Sequence, residues 1–428
     1  MTPTRDELLS LLNAPDRLDN LRALMAAVQK GKILAPTTGE DVNNHIHTTY
    51  SFSPYSPTAA VWFAYQAGLS TCGLMDHDSI AGADEFLTAA GIVGMGSTVG
   101  LECRVRFGDP PFVGRRINNP DQDSIVYMAL HGVPHTQTAR LNEFFAPYRA
   151  KRNERNRAMV ASLNGLMGQY GIQIDFDRDV LPLSEYGNGG TVTERHISAA
   201  LSKAILREIG AGEALISFLR DSLNLPVSEK IAGFLTDEHN PHAMYDLLGL
   251  IKSDLISRFY IDAIEECPDV REALALSDEI GAISAYAYLG DVGDSVTGDK
   301  RAQKFEDDFL DELVARLKTL GFRAITYMPS RNSRAQLDRI RALCERHELF
   351  QISGEDINSP RQSFICEAQR DPIFRNLEDA TWALLAHEWG ATEDFSKGMF
   401  SAESERKWPE LDARVKAFAE MGRARFGR

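Results

Sequence analysis

The chain of 428 residues lacks the features that mark several large classes of protein. Its five cysteines are scattered and never in CxxC spacing, which argues against a disulfide framework or a structural zinc knuckle and fits a reducing cytosol. Lys and Arg number 46 against 61 Asp and Glu, and a net charge of −15 disfavours a surface for nucleic-acid polymers. No apolar run approaches membrane-spanning length and no signal-peptide pattern is apparent, so we expect a cytoplasmic protein.

What remains is the composition of a globular protein with a substantial core, 43% hydrophobic and 25% charged. Short strands alternate with helices, and such repeated units imply a parallel sheet or barrel. The alternation stops over a long, mostly helix-forming stretch and then resumes. The strands are predicted at 42–46, 70–75, 98–107, 124–130, 281–289, 322–327 and 350–353.

This pattern divides the chain into four parts. Residues 1–40 form a helical extension that begins with a capping box at Thr4 and Glu7. Residues 41–135 and 276–370 carry the strands and their helices. Residues 136–275 are a helical insertion or cap, and residues 371–428 a helical tail.

The first predicted strand carries His45, and His47 directly follows its end. Alternate side chains of a strand point to the same side, so the two imidazoles project together. Two convergent imidazoles are half of a site for zinc, iron or manganese. A pair of surface histidines at a strand end would show the same spacing.

Further metal-ligand side chains follow four other predicted strands. They are Asp76 and His77 after the second, Glu102 on the third, His131 at the end of the fourth and Asp356 after the seventh. The carboxyl ends of parallel strands meet at one rim, which is where (β/α) barrels place their active sites. Each residue alone has an ordinary structural explanation, but their convergence favours a metal site.

These motifs, in this order, resemble those of the PHP (polymerase and histidinol phosphatase) family. The resemblance covers roughly 40–135 and 276–365, and the insertion is similar to that of the family's small-molecule phosphoesterases. It implies a distorted (β/α)7 TIM-like barrel that holds one to three divalent ions of zinc, manganese or iron. The motifs are His45-x-His47-Thr48-x-x-Ser51, Asp76-His77-Asp78, Gly100-x-Glu102 and Gly354-x-Asp356.

The resemblance also implies roles for individual residues. The implied metal ligands are His45, His47, His77, Glu102, His131 and Asp356, with Tyr127 an alternative to His131. Proton transfer is assigned to Asp76, Asp78, His131 or His196. Substrate contacts are assigned to Arg104, Arg195, Tyr288 and Asn358. Arg104 follows Glu102 on the third strand, and Arg195 with His196 resembles an Arg-Pro-His segment of nucleotide phosphatases.

The sequence departs from the family at three places. Phe52, Tyr288 and Asn358 stand where the family has a carboxylate and two imidazoles, so the first metal site is intact and the second and third are altered. The sequence therefore predicts a metal-dependent phosphoesterase that hydrolyses a small phosphorylated metabolite or nucleotide with metal-activated water. An amidohydrolase-like enzyme for non-phosphorylated substrates, or a catalytically degenerate metal-binding protein, remains as an alternative.

Overall fold

One sheet of seven strands organises the computed structural model, which describes residues 3–293 and 303–427. The strands neighbour one another in chain order, and each lies where the sequence predicts a strand. They are β1 Val42–Ile46, β2 Thr71–His77, β3 Gly96–Arg106, β4 Ile125–His131, β5 Ile283–Ala287, β6 Ala324–Thr326 and β7 Phe350–Ile352.

The sheet is mixed, which corrects the prediction of an all-parallel arrangement. β1, β2 and β3 are parallel, as are β5, β6 and β7, but β4 is antiparallel to both of its neighbours. No helix lies between β3 and β4 to carry the chain back to the starting edge, so the chain turns and β4 runs the other way. The amino end of β4 therefore lies beside the carboxyl ends of the other six strands.

The sheet curls but does not close into a barrel. Among the described residues β1 and β7 do not pair as strands. The chain after β7 nevertheless reaches β1, because His47 N–H donates to the Ile357 carbonyl at 3.0 Å and Ile357 N–H donates to the His45 carbonyl at 3.1 Å. The fold is thus an open, TIM-like half-barrel with a partial closure at one rim.

Helices cover the sheet and fill its curl. They are α1 Arg5–Leu12, α2 Arg17–Gln29, α3 Pro57–Gln66, α4 Ala83–Val93, α5 Thr138–Met167, α6 Glu194–Ile209, α7 Glu213–Ser217, α8 Glu229–Thr236, α9 Ala243–Leu250, α10 Val270–Ile280, α11 Leu310–Leu320, α12 Arg334–Arg346, α13 Arg375–Glu393, α14 Ala402–Lys407 and α15 Leu411–Phe426. None of the helices within 3–293 and 303–427 is long and apolar enough to cross a membrane.

The two faces of the sheet contact different helices, as strand alternation requires. Outward side chains such as Leu74 join a core with the helices that alternate with the strands. Inward side chains such as Met75 and Ala129 pack instead against Ala383 and Leu384 of α13. Helix α13, from the predicted helical tail, therefore fills the concave side of the sheet.

A buried network of ion pairs fastens the helical insertion to the sheet. Glu266, in the segment before α10, accepts hydrogen bonds from Arg104 of β3 at 2.5 Å, from Arg152 of α5 at 3.0 Å and from Arg155 of α5. Glu194, at the start of α6, pairs with Arg104 at 3.0 Å and also with Arg155. A buried charge is tolerated only when it is paired, so these contacts fix α5 and α6 over the sheet.

Replacing Glu266 by Gln tests this network. The substitution leaves three buried guanidinium groups short of one negative charge, so we expect the free energy of unfolding to fall by about 3 kcal/mol. The measurement is a urea unfolding curve. Glu265→Gln is the matched control, because Glu265 is 76% exposed and, among the described residues, pairs only with Lys151 at 3.4 Å. Equal unfolding midpoints for the two variants would show that the network is not stabilising.

The same network predicts how stability depends on pH. Burial raises the pKa of Glu266, but Arg104 and Arg152 lower it by a larger amount. The net shift is therefore downward from the ordinary value of 4.5. A group with a lowered pKa contributes stability above its unfolded pKa and loses it as the pH falls through the folded value. We expect unfolding free energy to decline below about pH 4.5 in the wild type, and less steeply in Glu266→Gln. Parallel slopes in acid titrations would contradict this.

Candidate metal centre

A bulge in β1 aims its histidines at the concave side of the sheet. The register of β1 against β2 shifts between Asn43 and Ile46, so Asn44 and His45 both lie opposite Gly73. A Cβ atom on Gly73 would lie 2.8 Å from the Asn44 Cα atom, so only glycine leaves room for the bulge.

Three side chains converge at this rim. The Nε2 atoms of His45 and His47 are 3.3 Å apart, and His45 Nε2 lies 3.7 Å from Glu102 Oε2. One ligand atom from each residue lies within 4.8 Å of the other two. Two nitrogens bound tetrahedrally to one ion at about 2.1 Å would be roughly 3.4 Å apart. The donor set therefore fits a divalent metal ion.

Two more predicted ligands extend the cluster on either side. His77 Nδ1 lies 3.4 Å from Glu102 Oε2, and its ring stacks on that of His47 with centroids 4.7 Å apart. Asp356 Oδ1 lies 3.1 Å from His47 Nε2. Asn358 belongs to the same group, because its Nδ2 donates to Asp356 Oδ1 at 2.6 Å.

Asp356 reaches the cluster because the chain passes very close to β1. A Cβ atom on Gly354 would lie 2.7 Å from both the backbone nitrogen and the Cβ atom of His45. Glycine alone permits that approach. The backbone hydrogen bonds of Ile357 to β1 then hold Asp356 beside His47.

The charges of the cluster suit metal binding. Burial raises the pKa of Glu102, but His45 and His77 outweigh it and bring the value down to about 2. Burial lowers the pKa of His77 to about 3, so this ring is neutral at pH 7 and has a lone pair to give. Burial also lowers the pKa of His45, but the bond to Glu102 raises it above its usual value. The field at His45 thus favours a cation.

Asp76, predicted to transfer protons, lies behind His47 in this structure. His47 Nδ1 is 3.2 Å from Ser51 Oγ, and the Ser51 hydroxyl donates to Asp76 Oδ1 at 2.6 Å. Asp76 also accepts two hydrogen bonds from Thr48, at 2.7 and 2.6 Å. A carboxylate that orients a histidine in this way fixes which ring nitrogen faces the metal. This chain of contacts leaves His47 Nε2 free to bind.

His131 does not share the rim, contrary to the prediction. Because β4 is antiparallel, His131 pairs with Ile283, the first residue of β5, and lies beside Gly100, below Glu102. Burial lowers its pKa to about 3, and the charge of His45 lowers it as well. Its role as a ligand stays a prediction. The aromatic ring of Tyr127, nearer the amino end of β4, lies 6.0 Å from that of His77.

Three other predicted residues have partners outside the cluster. Arg104 is engaged by the carboxylates of the buried network and is not available to a phosphate. The Tyr288 hydroxyl donates to Asp307 at 2.6 Å, on the outer side of the sheet. His196 accepts the backbone N–H of Thr193 at 2.9 Å through Nδ1 and packs its ring edge-on against Phe52.

The remaining predicted acidic group and arginine have different surroundings. Asp78 forms a 2.6 Å ion pair with Arg152, which makes it part of the buried network. Arg195, the second residue of α6, is half-buried, and its charge helps to lower the pKa of Asp356, together with those of His47 and His45. Within the described chain, the Arg195 side chain has no ion pair or hydrogen bond.

Sequence reasoning missed Arg331, which follows β6 at the same rim. Its Nε donates to the Leu289 carbonyl at 3.2 Å, and it lies in the electrostatic field of Asp356. The signal that could have revealed Arg331 is its place after the sixth strand, since polar residues that follow parallel strands share one rim. Arginine is not a metal ligand, so the metal-ligand pattern does not include it.

One short segment of the chain is similar in sequence to a known protein. No protein-family model matches the chain. A segment of 58 residues, 14% of the chain, is 45% identical to a 5'-3' exoribonuclease of Haemophilus influenzae and covers 21% of it. The match thus spans about a fifth of that relative's length.

Two solved structures are similar to the chain over most of their length. One, called a predicted metal-dependent phosphoesterase, from Bifidobacterium adolescentis, has 22% identity and a TM-score of 0.49, and the match covers 80% of this chain and 97% of that one. The other, a Chromobacterium violaceum amidohydrolase with bound sulfate and no metal, has 18% identity and a TM-score of 0.49, and the match covers 79% and 96%.

Replacing Ser51 by Ala tests the link from Asp76 to the metal centre. Without the hydroxyl, His47 loses the group that orients it, so we expect affinity for Zn²⁺ or Mn²⁺ to fall about 10- to 100-fold. The measurement is calorimetric titration of metal-stripped protein. Ser53→Ala is the matched control, because Ser53 is also buried but accepts a hydrogen bond from Tyr55 N–H instead. Equal affinities in the two variants would refute the link.

Proposed function

We propose that the chain is a metal-dependent hydrolase of the PHP type, and that it hydrolyses the phosphoester of a small metabolite or nucleotide. The convergence of His45, His47 and Glu102 carries this proposal, because their ligand atoms all lie within 4.8 Å of one another. Arg195, a cation beside the cluster without an ion pair among the described residues, favours a phosphorylated substrate over a neutral one.

The residues divide the work in a defined way. His45, His47 and Glu102 would hold a zinc, manganese or iron ion, with His77 and Asp356 beside them as ligands of the same ion or of neighbouring ones. A bound divalent metal supplies Lewis acidity, which lowers the pKa of a water molecule and offsets charge on a phosphoryl oxygen.

Other side chains would orient a metal ligand and the substrate. Asn358 keeps one Asp356 oxygen occupied, which fixes the direction of that carboxylate. Arg195 would bind phosphoryl oxygens from the side of the insertion. Phe52, whose ring contacts those of His196 and Tyr245, is an apolar side chain where the family has a carboxylate. We therefore propose one or two metal ions in preference to three.

The test combines metal analysis with a panel of phosphomonoesters assayed with added manganese or zinc. We expect turnover and bound metal in the wild type, and the loss of both by at least about 100-fold in His47→Ala, because one ligand is gone. His239→Ala is the control, since this exposed histidine lies outside the cluster. Turnover that persists in His47→Ala would contradict the proposal.

An RNA 5' end is the second candidate substrate. The observation that favours it is the 45% identity of 58 residues to a 5'-3' exoribonuclease. A net charge of −15 opposes binding a long polyanion, so any RNA substrate would be held mainly at its terminal nucleotides. Release of mononucleotides from 5'-phosphorylated oligoribonucleotides, without turnover of small phosphomonoesters, would establish this candidate in place of the first.

The amidohydrolase-like function remains the alternative for non-phosphorylated substrates. A single ion at His45, His47 and Glu102 would suffice for it. Assays with amides and lactones separate the two functions. Tight metal binding with no turnover in any assay would identify a degenerate, metal-binding member of the PHP type.

A further inference from the structure

We propose that Arg331, together with Arg195, forms a two-arginine clamp for the phosphoryl group on the Asp356 side of the metal centre. The ligand class is inorganic phosphate and phosphomonoesters. The inference rests on the proposed function and adds to it a residue that binds the phosphate.

The position of Arg331 follows from the strand directions. It lies in the loop between β6 and α12, and β6 is parallel to β5 and β7, so this loop emerges at the same rim as Asp356. The side chain is half-buried. Its Nε donates to the backbone carbonyl of Leu289, just after β5, at 3.2 Å. That bond orients the guanidinium group and leaves its two terminal nitrogens for another partner.

Charge pairing separates Arg331 from the buried arginines of β3 and of the insertion. Arg104, Arg152 and Arg155 each form an ion pair with Glu266 or Glu194. Arg149 satisfies its terminal nitrogens on backbone carbonyls. In the described part of the chain Arg331 has neither an ion pair nor a hydrogen bond at those nitrogens. Holding a guanidinium group partly out of water without a counter-charge is costly, and an anionic ligand would offset the cost.

The electrostatics agree with this picture. Burial lowers the pKa of Arg331, and the fields of Glu306 and Asp356 oppose that shift only in part. Neither carboxylate forms an ion pair with Arg331 within the described residues, and Glu306 instead accepts the Leu289 N–H at 2.9 Å. In this part of the chain the guanidinium group therefore has no contacting counter-charge.

Arg195 would complete the clamp from α6 of the insertion, whereas Arg331 lies in the loop after β6. The start of α6 lies near the cluster, because His196, next to Arg195, packs against Phe52, and Ser51, next to Phe52, contacts His47. Two planar guanidinium groups present parallel N–H donors that match phosphate oxygens. A phosphomonoester has enough unesterified oxygens to contact both arginines and a metal ion, so the clamp favours monoesters over diesters.

The experiment measures the binding of inorganic phosphate by calorimetry, with metal-loaded and with metal-free protein. In Arg331→Gln we expect the Kd for phosphate to rise about 10- to 100-fold while metal content stays unchanged, because a charge-assisted, bidentate contact is lost. Arg331→Lys keeps the positive charge but loses the planar, two-donor guanidinium group, so its Kd for phosphate should be intermediate. The matched control is Arg334→Gln, three residues away, since Arg334 is exposed and paired with Asp338 at 2.9 Å.

The outcomes separate this inference from the proposed function. An unchanged phosphate Kd in Arg331→Gln, or a wild type that binds no phosphate, overturns the clamp. Phosphate binding that depends on Arg331, in a protein that hydrolyses no phosphoester, supports the clamp and removes the proposed function. If Arg331→Gln has a lowered unfolding midpoint, the Kd of Arg331→Lys decides: a wild-type value overturns the clamp, and a raised value supports it.

Discussion

The contact between the two edges of the sheet is the constraint on which the metal centre depends. β1 supplies His45 and His47, whereas Asp356 follows β7 at the opposite edge. Two backbone hydrogen bonds through Ile357 bring these edges together, and Gly354 permits the close passage. The sheet must therefore curl almost into a barrel for the cluster to exist, although its edge strands never pair. The same contact that curls the sheet therefore also assembles the cluster.

The insertion depends on a second constraint, the balance of buried charge. Three arginines and the carboxylates of Glu194 and Glu266 neutralise one another where α5 and α6 meet β3. Glu194 begins α6, and Arg195 is the next residue. The ion pairs that hold the helix in place thus set the position of a cation beside the metal centre. Glu194, which is paired in the buried network, and Arg195, which we propose binds the substrate, are therefore adjacent residues.

The sequence predicted the strands and five side chains of the cluster because these signals are local. Alternation, an His-x-His spacing and polar residues after apolar runs are visible in a short window of sequence. The direction of β4 was not read correctly, and His131 was misplaced for that reason. The absence of a helix between β3 and β4 was the available clue, since a parallel connection needs a crossover.

Two other differences have causes that no short window contains. Arg104 lies on the same strand as Glu102, but carboxylates from the distant insertion engage it. Tyr288 lies one residue beyond the end of β5, where the alternation turns its side chain outward to Asp307. For Arg104 the deciding partners are far away in the chain, and for Tyr288 the partner lies in the segment after β5. Local propensity cannot reveal such partners, because they are brought near only by tertiary packing.

Helix α13 has a consequence for the order in which the molecule assembles. It fills the concave side of the sheet, yet it follows all seven strands in the chain. During synthesis, β1 and its histidines leave the ribosome long before helix α13 does. Until α13 arrives, inward side chains such as Met75 and Ala129 have no partner, and the early strands present an apolar surface to other chains. Contacts between such distant segments also slow folding. The nascent chain therefore exposes this apolar face until residues 375–393 have been synthesised.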